Sequence, residues 1–449
     1  MEVLLKSVVL HDPTAALHGK PVDLLVRDGR VAGLAPAGTL DAGGTLAAGG
    51  TLAGSGASTN AEVWEVPGSW VSVGWMDGAV DFGEPGFEVR EGLASGMRAA
   101  AAGGFTDVAL VPASAPPPDA AAELELVQRR SGGGAARVWP LACLSAGRRG
   151  ERLADLLELH ASGAIGFSDD GPIARPELLR RGLEYAADTG RPVVALPIEP
   201  DLNPGATMHE GVVSTRMGVP ATPHEAETMR LMRDLELLRY AGGRLHVSCV
   251  STAAGCDLIR RARAEGLEVT AATTCWHLVG TDADCAGFDG LYKVMPPLRT
   301  EADRDALRAA VLDGTLQAVV SDHRPADLEH HDTAFMESPF GIAGTEACFA
   351  AALHGLSEQA PRPQALEALL RALTVGVRGV YGLEVPRIEV GAPACLTWFH
   401  PDQAWTWSRT TRAANVGPWE QRGWTGEPLG TIRPEGAVRR GLTPRPADR

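Results

Sequence analysis

Several short stretches of this 449-residue chain end in side chains that can move protons or hold a metal ion. "GWMDGAVDFGEPGFEV" offers Asp77 and Asp81, "GFSDDG" offers Asp169 and Asp170, and "ALPIEP" offers Glu199. "LHVSCVST" adds Cys249, "TTCWHL" adds Cys275 and His277, and "VSDHRPAD" adds Asp322 and His323. Carboxylates serve as general acids, general bases or metal ligands, and a thiolate can be a ligand or a nucleophile. Cys275 has no partner fixed by spacing, and nothing nearby supplies the third group that would orient His277, so a Cys-His nucleophile is not expected.

The elements that must position these residues follow from hydrophobic patterning. Apolar runs rich in β-branched residues occur at Trp70 to Met76, Thr106 to Val111, Val138 to Cys143, Ala164 to Phe167, Pro192 to Leu196, Leu245 to Val250, Leu267 to Ala272 and Leu316 to Ser321. Most precede an amphipathic stretch such as "EVREGLASGMRAAAAGG", "HEAETMRLMRDLELLRYAGG" or "EADRDALRAAVLDG", with Gly103, Gly242 and Gly314 at helix-ending positions. Eight β-then-α units in series predict an α/β fold, a (β/α)8 barrel over residues 69–379, whose chemistry belongs where strands end. Residues 1–68 and 380–433 read as short strands and predict a small β-sandwich built from both ends of the chain. The Gly-rich segment 43–58 is expected to be a flexible loop, and 434–449 a frayed tail.

Composition narrows the partners. With 41 basic and 56 acidic side chains the net charge is −15, which disfavours nucleic acid and anionic membrane. Seven scattered cysteines with no C-x-x-C pair fit a reduced, cytoplasmic protein. The opening "MEVLLKSVVLHDP" reads as a first strand rather than a signal peptide or membrane span.

From about residue 70 to 430 the sequence resembles the dihydroorotases of the amidohydrolase superfamily. The likeness is carried by "EPGFEVREGLASGMRAAAAGGFTDV", "GFSDDG", "GATMHEGVVSTRMGVPATPHEAE", "LYKVMPPLRTEADRDALRAAVLDGT" and "SPFGIAGTE". The resemblance implies a zinc enzyme of pyrimidine biosynthesis, with His-x-His after strand one, a carboxylate after strand four, a histidine after each of strands five and six, and an aspartate after strand eight. Matched by position, Ala79 and Asp81 stand where the paired histidines belong, Pro197 where the strand-five histidine belongs, and Cys249 where the strand-six histidine belongs. Only Asp169 or Asp170 and Asp322 survive. The substrate contacts that the resemblance implies are replaced by Gly83, Ala113, Met295 and Ala326. Lys6, Lys20 and Lys293 are the only lysines and none follows strand four, which excludes a carboxylated lysine bridge.

These departures predict a pseudoenzyme with no catalytic residue, metal or cofactor. By resemblance it would be a structural or regulatory partner of aspartate carbamoyltransferase in a homo- or hetero-oligomer. The alternative is an active cyclic amidohydrolase with a reduced zinc site built from Asp81, Cys249, Asp322 and a strand-four carboxylate; a ligand sensor is a third class. His246 is expected to be a core histidine, His323 structural or exposed, and His330 and His331 solvated loop residues. Trp405, Trp407, Trp419 and Trp424 are read as exposed candidates for an interface, with packing of the sandwich as the other reading.

Overall fold

The computed structural model describes residues 2–40, 61–202, 204–327, 329 and 333–440. The Gly-rich segment 43–58 and the pair His330 and His331 lie outside them.

Eight parallel segments form the barrel: Trp75–Val80, Phe105–Leu110, Arg137–Pro140 continued by Ala142–Cys143, Phe167–Ser168, Val193–Ala195, Leu245–Val247, Val269–Thr274 and Ala318–Val320. The ring closes where Asp81 donates its backbone N–H to the His323 carbonyl at 2.8 Å, next to a parallel bridge between Val80 and His323. Strands covered on both faces are largely apolar, and all six residues of Trp75–Val80 and of Phe105–Leu110 are buried, with Asp77, Thr106 and Asp107 as their polar members. Met76, Ala109, Ile165, Val194, Ala272 and Val320 fill the interior, packed against Val377, Val380 and Tyr381 of a late helix, Val377–Tyr381. Tyr381 donates its hydroxyl to the Gly78 carbonyl at 2.6 Å.

Both chain ends join one continuous sheet. Its order runs from Gly436–Arg439 through Gly423–Arg433, Leu396–Thr406, Trp70–Val73, Glu2–His11 and Pro21–Arg27 to Arg30–Pro36, with Glu62–Trp64 also paired to Glu2–His11. Three sequence expectations are corrected here. The run Trp70 to Met76 is two strands, the first in the terminal sheet and the second in the barrel, so the boundary falls at Gly74 rather than at residue 69. Within the tail expected to fray, Gly436–Arg439 pairs with Gly423–Arg433, and residues 441–449 lie outside the described ones. Trp405, Trp407, Trp419 and Trp424 are all buried, and Trp276 stacks on Trp419 at 5.1 Å, so they pack the protein and offer no interface.

Helix ends follow the sequence with small shifts. Gly242 ends Glu225–Ala241 in the left-handed region, but Gly103 is still right-handed and Gly104 makes the turn at φ +89°. The first barrel helix begins at Leu93, later than the amphipathic run from Glu88 suggests, because Glu91 is drawn into the core and Leu93 N–H is capped by Glu84.

Gly74 is where the chain crosses between domains, and a Cβ there would lie 2.3 Å from Thr106 Oγ1 and 2.8 Å from Cys395 Sγ. Gly74→Val is expected to lower stability by about 1–3 kcal/mol through overpacking, read as a fall in urea midpoint at unchanged m; an unchanged midpoint would refute the tight crossing.

Candidate functional site at the barrel mouth

The strand ends converge on a cavity of about 240 Å³ lined by Gly78, Ala79, Asp170, Cys249, Asp322 and Arg324, with Met295 and His246 among its other walls. Arg324 dominates it. Its guanidinium donates to both oxygens of Asp170, at 2.6 and 2.7 Å, and its Nε donates to Asp322 Oδ1 at 2.9 Å. This fork joins the end of strand four to the end of strand eight, with a quarter of the arginine side chain left open to the mouth. Arg148 approaches Asp170 at 3.7 Å from the third βα loop. Asp170 and Asp322 both take left-handed backbone conformations, φ +51° and +47°, which Asp tolerates better than most residues.

The two strand-four carboxylates have different tasks. Asp169 turns away from the mouth, accepting from Ser145 N–H at 2.9 Å and Ser145 Oγ at 2.6 Å, while Asp170 faces it. Asp81 is buried, and its Oδ1 accepts from Gly83 N–H at 2.8 Å. Burial raises the pKa of Asp81 and of Asp322, and the positive charge of Arg324 opposes the rise at both. Burial, reinforced by Asp322, holds the Cys249 thiol well above its ordinary value, which keeps it protonated and a poor ligand or nucleophile.

The other sequence candidates serve the framework. Glu199 pairs with Arg230 at 2.9 Å, and Pro197 is buried outside the cavity wall. His277 is buried between Thr274 Oγ1 at 2.7 Å and the Pro296 carbonyl at 3.0 Å, and burial pushes its pKa down to about 4. Cys275 is a buried free cysteine whose thiol is hydrogen-bonded with that of Cys348 and whose N–H donates to the Val320 carbonyl at 2.9 Å. His246 is a core histidine in contact with Thr270 Oγ1 at 2.9 Å, its pKa pushed down to about 3 by burial. His323 makes no bond to Asp322; fully buried, it contacts Glu91 Oε2 at 2.6 Å through Nε2. Asp77 is a buried brace that accepts from Ser321 N–H and Thr345 Oγ1.

The four positions at which the resemblance implies substrate contacts are structurally distinct. Gly83 is left-handed at φ +68°, and a Cβ would lie 2.7 Å from the Phe87 carbonyl oxygen, so this loop conformation cannot carry an arginine there. Met295 lines the cavity; Ala326 instead donates its N–H to Asn415 Oδ1 and lies off the lining, as does Ala113. Sequence reasoning passed over Arg324 itself. The available signal was an arginine two residues after Asp322, in a chain whose mouth carboxylates outnumber its other cations.

Zinc is the metal to test against this site. Among the described residues no three His, Cys, Asp or Glu side chains are grouped to hold a metal ion. The carboxylates that face the cavity are already bonded to a guanidinium, and the nearby sulfur is a protonated thiol, so the residues present do not fit zinc.

A family model described as dihydro-orotase-like matches residues 69–254. A protein named dihydroorotase from Anaeromyxobacter dehalogenans strain 2CP-1 is 36% identical over 427 residues, covering 94% of each chain. One of the same name from Solibacter usitatus is 34% identical over 436 residues, covering 96% of each. Among solved structures, the L-hydantoinase (dihydropyrimidinase) of Arthrobacter aurescens superposes with a TM-score of 0.78 at 19% identity, covering 97% of this chain and 96% of its own. That likeness shows the fold: a barrel with a β-rich terminal domain.

The buried Glu91–His323 pair makes stability depend on pH. Burial alone would lower the pKa of His323, but the bond and charge of Glu91 raise it above 6.5. Burial alone would raise that of Glu91, but His323, Ser95 and Thr411 bring it below 4.5. The His323 contribution is therefore fully present below pH 6.5 and lost as pH rises through its raised value; that of Glu91 is present above pH 4.5 and lost as pH falls through its lowered value. Glu91→Gln is expected to cost about 3 kcal/mol between those limits and less on the alkaline side. Denaturation midpoints that differ by the same amount at every pH would contradict this.

Proposed function

The chain belongs to the dihydroorotase-like family of the amidohydrolase superfamily, and from that premise we propose that it is a member without dihydroorotase catalysis, acting as a structural or regulatory partner in pyrimidine biosynthesis. The observation that carries this reading is the Arg324 fork across Asp170 and Asp322. Hydrolysis of a cyclic amide in this family's manner needs an activated water beside a carboxylate free to take its proton. Here the strand-eight Asp322 is bonded to a fixed cation, and Ala79 supplies no donor side chain. The family resemblance makes aspartate carbamoyltransferase the proposed partner, in a complex that needs the barrel for its shape alone.

A second reading has a specific basis. The relatives of matching length are named dihydroorotase, and the structural neighbours are cyclic amidohydrolases, which favours an active cyclic amidohydrolase with a rebuilt site. In it Asp322, whose pKa is raised by burial, would be the proton-moving group.

Dihydroorotate ring opening by the purified chain in excess zinc separates the two. The proposal expects the chain and its Asp322→Ala variant to be equally inactive. A rate present in the chain and reduced about 10²-fold or more in the variant, the scale of a lost general acid or base, would establish the second reading.

A further inference from the structure

We propose that Cys275 and Cys348 form a buried dithiol that hydrogen peroxide converts to an internal disulfide, fastening the end of strand seven to the helix Cys348–Ser357. The inference goes beyond the proposed function and holds whether or not the mouth turns over a substrate.

The backbone brings the two thiols together. Cys275 opens the turn that follows Val269–Thr274, and this turn is tied to strand eight: Cys275 N–H donates to the Val320 carbonyl at 2.9 Å and Trp276 Nε1 to the Ser321 carbonyl at 2.9 Å. Cys348 is the first residue of its helix, which lies hard against the same turn. A Cβ on Gly355 would stand 2.3 Å from the Leu278 carbonyl oxygen, and one on Gly344, just ahead of the helix, 2.4 Å from Trp276 Cζ2. Cys348 and Gly355 are two helical turns apart, so they share the face pressed on the turn. There the two thiols are hydrogen-bonded to one another, and both cysteines are fully buried. Sulfurs already in contact on two packed elements need little backbone movement to be joined.

The hydrogen bond assigns the order of events. Burial holds both thiols above their ordinary pKa, but the bond between them favours charge on Cys275 and disfavours it on Cys348. The Cys275 sulfur therefore attacks the peroxide. The O–O bond breaks, a sulfenic acid forms, and the second oxygen leaves with the thiol proton as water. The Cys348 sulfur then attacks the sulfenic sulfur, the S–O bond breaks, and the hydroxyl leaves with the Cys348 proton as a second water. Two thiols and one peroxide thus give one disulfide and two waters, with sulfur supplying both electrons. Thiols kept protonated react slowly, so the pair answers to sustained rather than brief oxidation. The ring closed in this way spans residues 275–348 and contains strand eight, the Ser321 to Arg324 seam, and Thr345, which bonds Asp77. Such a crosslink limits the freedom of the unfolded chain across the seam.

The test treats the full, folded chain with hydrogen peroxide alone, blocks the remaining thiols after unfolding, and maps peptides by mass spectrometry without reductant. The expected product is one pair of peptides joined through Cys275 and Cys348, lighter by two hydrogens than the separate peptides and parted by dithiothreitol. The treated chain is expected to melt several degrees higher than the reduced chain, a gain that dithiothreitol reverses. Cys348→Ala is expected to carry sulfenic or sulfinic acid at Cys275 and to gain nothing in Tm. If that variant does not fold, the peptide map of the unaltered chain decides by itself. Sulfinic acid at either cysteine of the unaltered chain without the joined peptides overturns the proposal. So does an unreacted pair once the partly exposed Cys395 is fully oxidised, as do joined peptides that leave the Tm unchanged.

Discussion

A barrel mouth that gathers carboxylates from several strand ends must match them with positive charge, because a buried charge without a partner costs several kcal/mol. In this protein the matching charge is a side chain of the protein itself. Arg324, two residues beyond Asp322 on the same strand end, reaches back to Asp322 and across to Asp170. The bidentate geometry fixes the direction as well as the charge, which a lysine could not do. The left-handed turns at Asp170 and Asp322 aim both carboxylates at that fork.

The same strand end carries the closure of the barrel. His323 accepts the N–H of Asp81 through its carbonyl, while its ring is clamped by Glu91 from the loop after strand one. Glu91 in turn accepts from Ser95 and Thr411, so the C-terminal loop is fastened to the first barrel helix through one buried carboxylate. Ser321 braces Asp77 from the preceding position. Four consecutive residues, Ser321 to Arg324, therefore hold the strand eight to strand one seam and the mouth together. Packing and polar closure of this kind are independent of turnover, which is why a family barrel can keep its form while its strand ends change.

The barrel was legible because strands buried on both faces leave continuous apolar runs, and each of the eight predicted runs contains or overlaps an observed strand. What the pattern could not show was a boundary inside an apolar run. Trp70 to Met76 is uniformly nonpolar or small, and only the absence of space for a Cβ at Gly74 marks the crossing between sheets. The tryptophans of the C-terminal fifth were misjudged as exposed for a related reason: sequence gives their number, but the stack of Trp276 on Trp419 joins residues far apart in the chain. Ala79, Asp81, Pro197 and Cys249 were singled out through the family resemblance alone. The choice between Asp169 and Asp170 was not legible, since it depends on Ser145 capturing one of them. Arg324 escaped because a charged residue in a loop after a strand carries no signal of burial until its partners are seen.

Arg324 and Asp170 act as one unit that fixes the mouth, and a double-mutant cycle reads that coupling. Unfolding free energies would be compared for the chain, Arg324→Ala, Asp170→Asn and the double variant. A coupling of about 1–3 kcal/mol is expected, with the double variant more stable than the sum of the single losses implies. Strictly additive losses would contradict it, and Arg324 would then be a bystander at the mouth.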